Sequence, residues 1–156
     1  TWPVIKEVFT VSTIPAGYSA DDANRTWQRG NNLDILTIRG SGLNLALSIE
    51  FVDGNGNLIQ STDNNGLPPR AISLRNAVEV SVLAPGVSLR KWDDPNITGD
   101  QDGYEIQIRP VDFGMNAYRL FDSQTGTNLD PRRRVVIRTP FGTAIAPAPE
   151  WIFIQQ

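Results

Sequence analysis

The sequence contains no cysteine and no histidine among its 156 residues. Without cysteine, the fold uses neither disulfides nor thiolate metal sites. Without histidine, it lacks the usual transition-metal ligand, the commonest general base, and the Ser-His-Asp and Cys-His nucleophile systems. These absences exclude the commonest catalytic arrangements and favour a protein that acts by contact rather than as an enzyme.

An excess of basic charge and long apolar runs are missing as well. Fourteen Lys and Arg against seventeen Asp and Glu give a formal charge of −3, whereas nucleic-acid-binding domains are usually strongly basic. No apolar run approaches the ~18 residues needed to span a bilayer. We therefore expect no nucleic-acid partner and no membrane insertion. A start at Thr1 without Met suggests either a processed, exported chain or an excised fragment.

Turn-forming residues are abundant. Thirteen Gly and eleven Pro accompany a hydrophobic fraction of 40%, which suits a fold with many turns and short strands. No stretch of ten or more residues keeps a helical period. The length fits one domain over residues 1–156. These features together predict an all-β domain.

The clearest strand pattern surrounds a Gly-rich corner. Leu36 and Ile38 alternate with polar residues before Gly40-Ser41-Gly42, and apolar residues occupy every second position over 45–51. This two-residue period predicts two strands, each with one dry face. Asp-Gly and Asn-Gly pairs within 53–57 predict a hairpin turn after the second strand.

Other alternating stretches bring the expected total to about seven to nine strands, which is typical of a β-sandwich. The further predicted strands cover 4–11, 77–83, 104–109, 118–121, 132–138 and 151–154. Long loops are expected at 12–29, 59–70, 86–103 and 110–131. The spacing of strands and turns predicts two facing sheets.

Three segments resemble the IPT/TIG family of immunoglobulin-like domains. PVIKEV at 3–8 is similar to the opening strand of such domains, and NLDILTIRGSGL at 32–43 is similar to their strand and Gly corner. RVVIRTPFGTA at 134–144 resembles their "V-x-V-x-T-P-x-G-x-A" strand. The resemblance implies an immunoglobulin-like β-sandwich and a non-catalytic module of the kind found in bacterial surface proteins, receptor ectodomains, carbohydrate-active enzymes and some DNA-binding factors. The last use fits an acidic domain poorly.

An acidic stretch is the candidate metal site. Its carboxylates could converge on a hard cation such as Ca²⁺, which would relieve their mutual repulsion, and the alternative is a solvated loop. The candidate ligands are Asp93, Asp94, Asp100, Asp102 and Glu105. Paired carboxylates also hydrolyse glycosides, but that chemistry needs a raised pKa and a cleft, which surface loops seldom provide. No other cofactor is expected.

Aromatic and basic side chains supply the candidate contacts. Tyr18, Trp27 and Trp92 lie in predicted loops, where they either stack on sugar rings or cap the ends of the sandwich. The candidate cations, Arg132, Arg134 and Arg138, alternate along one strand and predict a ladder on its solvent side. Such a ladder binds an anionic glycan or an acidic patch on a neighbouring subunit, or it protects an edge strand from unwanted pairing.

The sequence therefore predicts a structural or adhesive module that assembles with other protein subunits, most simply as a homo-oligomer. The expected setting is an extracellular surface layer, a filament or a virion. The terminal segments 1–11 and 151–156 are the strands expected to be shared with a neighbour. The alternative is a carbohydrate-binding accessory domain that uses the loop aromatics.

Overall fold

A computed structural model describes residues 2–11, 26–28, 35–52, 72–76, 78–99, 102–109, 132–147 and 150–155. Within these residues the protein is all-β and contains no helix. The strands are β1 (Val4–Val11), β2 (Thr26–Gln28), β3 (Ile35–Ser41), β4 (Ser48–Val52), β5 (Ile72–Ser73), β6 (Val87–Lys91), β7 (Gly103–Ile108), β8 (Arg132–Thr139), β9 (Gly142–Ile145) and β10 (Ile152–Gln155). The described part of the chain accordingly offers no helix that could cross a membrane.

The strands form two sheets. The first sheet has the order β1-β3-β7-β6 and is antiparallel throughout. The second has the order β2-β10-β8-β4-β5, with β9 also paired to β8, and only β2 and β10 run parallel. Because β1 contacts β2, β9 and β10, these strands lie at one edge of the structure, here called the β1 side. Strands β5 and β6 lie at the opposite edge, the β6 side.

One hydrophobic core joins the two sheets. Val8, Ile38 and Ile106 lie side by side in the first sheet and are at most 1% exposed. Ile49 and Ile137 are paired in the second sheet and are fully buried in the same cluster. The inner faces carry the apolar half of each alternating pattern, which confirms the predicted all-β, two-sheet architecture.

The strand predicted at 45–51 starts later than its alternation suggests. Leu45 and Leu47 are each 41% exposed, and β4 begins only at Ser48. The chain turns just before the strand, where the Ala46 N–H donates to the Leu43 carbonyl. Leu45 and Leu47 therefore precede the sheet instead of lining its core.

The prediction of a strand at 77–83 is wrong. Val78, Val80 and Val82 are 94%, 71% and 45% exposed, and the described residues 78–82 form bends and turns. Alternation cannot make a strand unless another strand supplies hydrogen bonds. Here the Asn76 side chain instead accepts the backbone N–H groups of Val78 and Glu79, at 2.9 and 3.2 Å. We call residues 78–82 the valine loop.

Two of the predicted long loops contain strands. Strand β2 lies within 12–29, and β6 lies within 86–103. Both strands are short, and β6 brings only two apolar residues to the core side, so their periodicity was too weak to detect. The predicted hairpin turn at 53–57, the strand at 118–121 and the loops at 59–70 and 110–131 lie outside the described residues.

Candidate functional site

Four charged residues form a row across the outer face of the first sheet. Glu7, Arg39, Glu105 and Arg90 occupy neighbouring positions on β1, β3, β7 and β6. The Arg39 Nε lies 2.7 Å from Glu105 Oε1, and its Nη1 lies 3.3 Å from Glu7 Oε2. Arg90 Nε also donates to Glu105. The charges alternate in sign along this row, which we call the charge row.

Glu105 is the centre of the charge row. Its side chain is only 1% exposed and accepts hydrogen bonds from two guanidinium groups. Burial alone would raise the pKa of Glu105, but the hydrogen bonds from Arg90 and Arg39 outweigh burial and hold that pKa below its usual value. Glu105 is therefore an ionised, buried carboxylate with two cationic partners.

Arg39 is also flanked by aromatic rings. Its guanidinium carbon lies 4.8 Å from the centre of the Phe9 ring and 5.7 Å from that of Trp92. Both distances fit cation–π contacts. Its hydrogen bonds to Glu105 and Glu7 raise the pKa of Arg39 despite the opposing effect of burial. These contacts join β1, β3 and the segment after β6 across the outer face of the sheet.

The segment after β6 reaches back over this face towards β1. Trp92 contacts Arg39 of β3, and the Asp94 carboxylate lies 2.5 Å from the Lys6 Nζ of β1. Asp94 is 6% exposed and also accepts the Asn96 backbone N–H at 2.9 Å. The hydrogen bond from Lys6 lowers the pKa of Asp94. Residues 92–94 thus connect the two edge strands of the first sheet.

Two of the candidate calcium ligands are already bound by cationic side chains. Glu105 is bound by Arg39 and Arg90, and Asp94 is bound by Lys6. Asp93 and Asp102 are exposed, while Asp100 lies outside the described residues. In the described part of the chain, no three acidic side chains come together as a metal site would require. Calcium binding by this stretch stays a prediction.

The arginine ladder lies on a face of the second sheet that is not fully open to solvent, contrary to expectation. Val136, between Arg134 and Arg138, is only 3% exposed. Arg134 Nε donates to the Ala146 carbonyl, and Arg138 Nε lies 2.5 Å from Glu50 Oε1. The hydrogen bond from Arg138 to Glu50 raises the pKa of Arg138.

These bonds tie Arg134 and Arg138, the two ladder arginines whose side chains are described, to neighbouring parts of the protein. Arg132 belongs to β8, and its backbone pairs with Phe153 of β10.

Of the three predicted contact aromatics, Trp92 is the one whose ring is described. It is half-buried, and it packs beside Arg39 rather than projecting from a loop. The backbone of Trp27 belongs to β2 and pairs with Ile154 of β10. Tyr18 lies outside the described residues. Sugar stacking by this set stays a prediction.

Exposed aromatic side chains that the sequence did not single out lie on the β1 side. Trp2 and Phe141 are 65% and 55% exposed. The indole of Trp2 packs on the backbone of Gly142, because a Cβ added there would lie 2.7 Å from the ring. Gly142 has a φ of 148°, a conformation that favours glycine. We call Trp2 and Phe141 the aromatic pair.

The valine loop is an exposed apolar group on the β6 side. It is tied to the segment that precedes β4 through Arg75, whose Nε and Nη2 donate to the carbonyls of Ala46 and Asn44 at 2.7 and 2.9 Å. The Val82 N–H also donates to the Glu79 carbonyl. The loop is therefore held by hydrogen bonds while its valines face solvent.

A shallow cleft of about 300 Å³ opens on the outer face of the first sheet. The described residues lining it are Ile35, Gly86, Val87, Ser88, Gln107 and Arg109. None of these described lining residues is aromatic, so the cleft gives the sugar-stacking hypothesis no support.

Comparisons of the chain with protein-family models, with curated proteins and with solved structures found no match.

Proposed function

We propose that this protein is a non-catalytic, immunoglobulin-like module that assembles head-to-tail with copies of itself in an extracellular surface layer, filament or virion. One observation carries the proposal. Two separate groups of exposed apolar side chains, the aromatic pair and the valine loop, lie on opposite sides of the structure.

The strand order supports the immunoglobulin-like part of this proposal. Constant-type immunoglobulin domains have the sheets A-B-E-D and C-F-G. If β1, β3, β7 and β6 are strands A, B, E and D, the first sheet has this order. Strands β4, β8 and β10 then take the places of C, F and G. The same order is expected for an IPT/TIG-like module, the family that the sequence resembles.

The exposed side chains are of the kind that form interfaces. Aromatic residues are enriched among those that dominate binding energy, and Trp2 and Phe141 have most of their surface in water. Val78 at 94% exposure is held out by a hydrogen-bonded loop. Exposed apolar side chains that lie together on a folded domain commonly mark a site of association, and Val78, Val80 and Val82 share one loop.

The placement of the two groups determines the type of assembly. A surface that binds an identical copy of itself closes a twofold dimer, whereas contact between two different surfaces builds a ring or an open filament. Because the aromatic pair and the valine loop lie on opposite sides, binding of one to the other leaves a free surface at each end. Assembly can therefore continue.

Mixing two variants tests this arrangement. We expect the wild-type protein to form a concentration-dependent series of oligomers in analytical ultracentrifugation. Trp2→Ser with Phe141→Ser removes one surface, and Val78→Ser with Val80→Ser removes the other, so each double variant should associate about a hundredfold more weakly. A mixture of the two should form dimers only, because each variant retains the surface that the other lacks.

Ile97→Ser is the matched control, since Ile97 is 46% exposed but belongs to neither group. It should assemble like the wild type. Assembly that persists in both double variants, or a mixture that stays monomeric, would show that these surfaces do not bind each other. A wild-type chain that remains monomeric at millimolar concentration would contradict self-assembly itself.

Glycan binding is the second candidate, and the aromatic pair favours it. Two exposed rings on one edge can stack on sugar rings, as Tyr18, Trp27 and Trp92 were predicted to do. A glycan array separates the two functions. Binding that disappears in the Trp2→Ser, Phe141→Ser variant, with no self-association of the wild type, would support the carbohydrate-binding module instead.

A further inference from the structure

Strand β6 is an edge strand of the first sheet in the described part of the chain. The Arg109 N–H donates to the Gly86 carbonyl, and the Trp92 N–H donates to the Gly103 carbonyl. In an antiparallel pair, the backbone groups of alternate residues point to the same neighbour. Residues 86, 88, 90 and 92 therefore face β7. The N–H and C=O of Leu89 point away from β7, on the side where the described residues place no further strand.

The opposite edge of the same sheet is closed. The Val8 N–H of β1 donates to the Glu150 carboxylate at 3.1 Å. Strand β1 also contacts β2, β9 and β10 of the second sheet. A carboxylate already occupies a position on β1 where an added strand would bind, so β6 is the edge of this sheet better suited to accept one.

The charge row shows what kind of strand would fit. It runs from Glu7 through Arg39 and Glu105 and ends at Arg90, on the edge strand β6. The Arg90 side chain is 67% exposed although it binds Glu105. An acidic residue opposite Arg90 on an added strand would continue the alternation, and opposite charges on facing residues stabilise strand pairs.

The basic residues of β6 do not obstruct this edge. Exposed lysines commonly protect edge strands, but here the Lys91 Nζ lies 4.5 Å from the centre of the Tyr104 ring on the neighbouring strand β7. Arg90 is likewise directed to Glu105 of β7. Both side chains lean back over the sheet.

We propose that the β6 edge binds an extended, acidic segment of a neighbouring subunit by strand addition. The segment hydrogen-bonds to the backbone of Leu89 and places a carboxylate opposite Arg90. This inference deepens the proposed assembly function, because it gives the β6 side a second contact beside the valine loop and states the chemistry of its partner.

The test uses synthetic peptides and the Trp2→Ser, Phe141→Ser variant, which lacks the aromatic surface. One peptide of about seven residues alternates Thr and Val with a central Glu, and its match has Lys in that place. We expect the Glu peptide to slow hydrogen exchange of the Leu89 amide and to bind about fivefold more tightly than the Lys peptide. A Glu peptide with methylated backbone nitrogens should not bind.

Arg90→Glu should reverse the preference, and Arg90→Gln should abolish it. Arg90→Gln guards against misfolding, because it removes the charge of Arg90 without placing a second carboxylate beside Glu105. Arg39, the other cationic partner of Glu105, is present in both variants. An unchanged Leu89 amide, or equal binding of the Glu and Lys peptides, would overturn the proposal. Failure of the peptide test while the wild type still assembles rejects only strand addition. Peptide binding by a chain that never self-associates rejects only head-to-tail assembly.

Discussion

Gly40→Ala is expected to destabilise the protein by about 3 kcal/mol. A Cβ at Gly40 would lie 1.9 Å from the carbonyl oxygen of Val4, a backbone atom of the neighbouring strand. The register of β1 against β3 shifts between Ile5 and Glu7, and the close approach occurs beside this bulge. Since a backbone atom cannot rotate away as a side chain can, the two strands must separate or shift.

Urea unfolding at neutral pH measures this effect. Gly99→Ala is the control, because a Cβ there meets no atom within 4 Å and only its φ of 72° disfavours alanine. That variant should lose about 1 kcal/mol. Equal losses in the two variants would mean that β1 and β3 do not approach so closely.

Glu105→Gln should cost about 2 kcal/mol at neutral pH. Removing one partner of a buried ion pair costs roughly 3–5 kcal/mol, and the cost is smaller here because Arg39 and Arg90 are 29% and 67% exposed and can be partly hydrated. The substitution leaves the guanidinium groups of Arg39 and Arg90 without the carboxylate that they share. Urea unfolding measures the difference from the wild type.

The same carboxylate makes stability depend on pH. The pKa of Glu105 in the folded protein lies below its ordinary value of 4.5. Its contribution is therefore complete above that value and is lost as the pH falls through the folded pKa. The wild type should lose more stability than Glu105→Gln between neutral and acidic pH.

Glu7→Gln is the matched control for the charge row. The Glu7 side chain is 43% exposed and lies 3.3 Å from Arg39, so its loss should cost less than about 1 kcal/mol. A cost equal to that of Glu105→Gln would show that burial does not distinguish the two carboxylates.

Alternation predicted those strands that carry long, regular patterns. Strands β3, β7 and β8 formed where apolar residues recur at alternate positions, and β1 formed where the alternation is less regular. It did not distinguish β6, which is a strand, from the valine loop, which is not. Both have valines or leucines at alternate positions, and the difference lies in whether a neighbouring strand accepts their hydrogen bonds.

The candidate site was less predictable than the fold. Glu105 and Asp94 were predicted as calcium ligands, and the structure places Arg39, Arg90 and Lys6 against them. These partners come from distant parts of the chain. The aromatic pair was missed because Trp2 precedes the first predicted strand and Phe141 occupies the variable position of the T-P-x-G motif.

The sequence by itself determined the fold class of the protein, which is all-β. The alternating side chains determined that sheets would form and which face of each strand would be dry, because the side-chain period of a strand is a local property. The absence of cysteine and histidine removed the commonest catalytic chemistries.

Only the tertiary structure decided which charges meet in the charge row, which edge is closed by Glu150, and which apolar groups remain in water. These features depend on strand pairing between residues far apart in the chain, and alternation carries no information about partners.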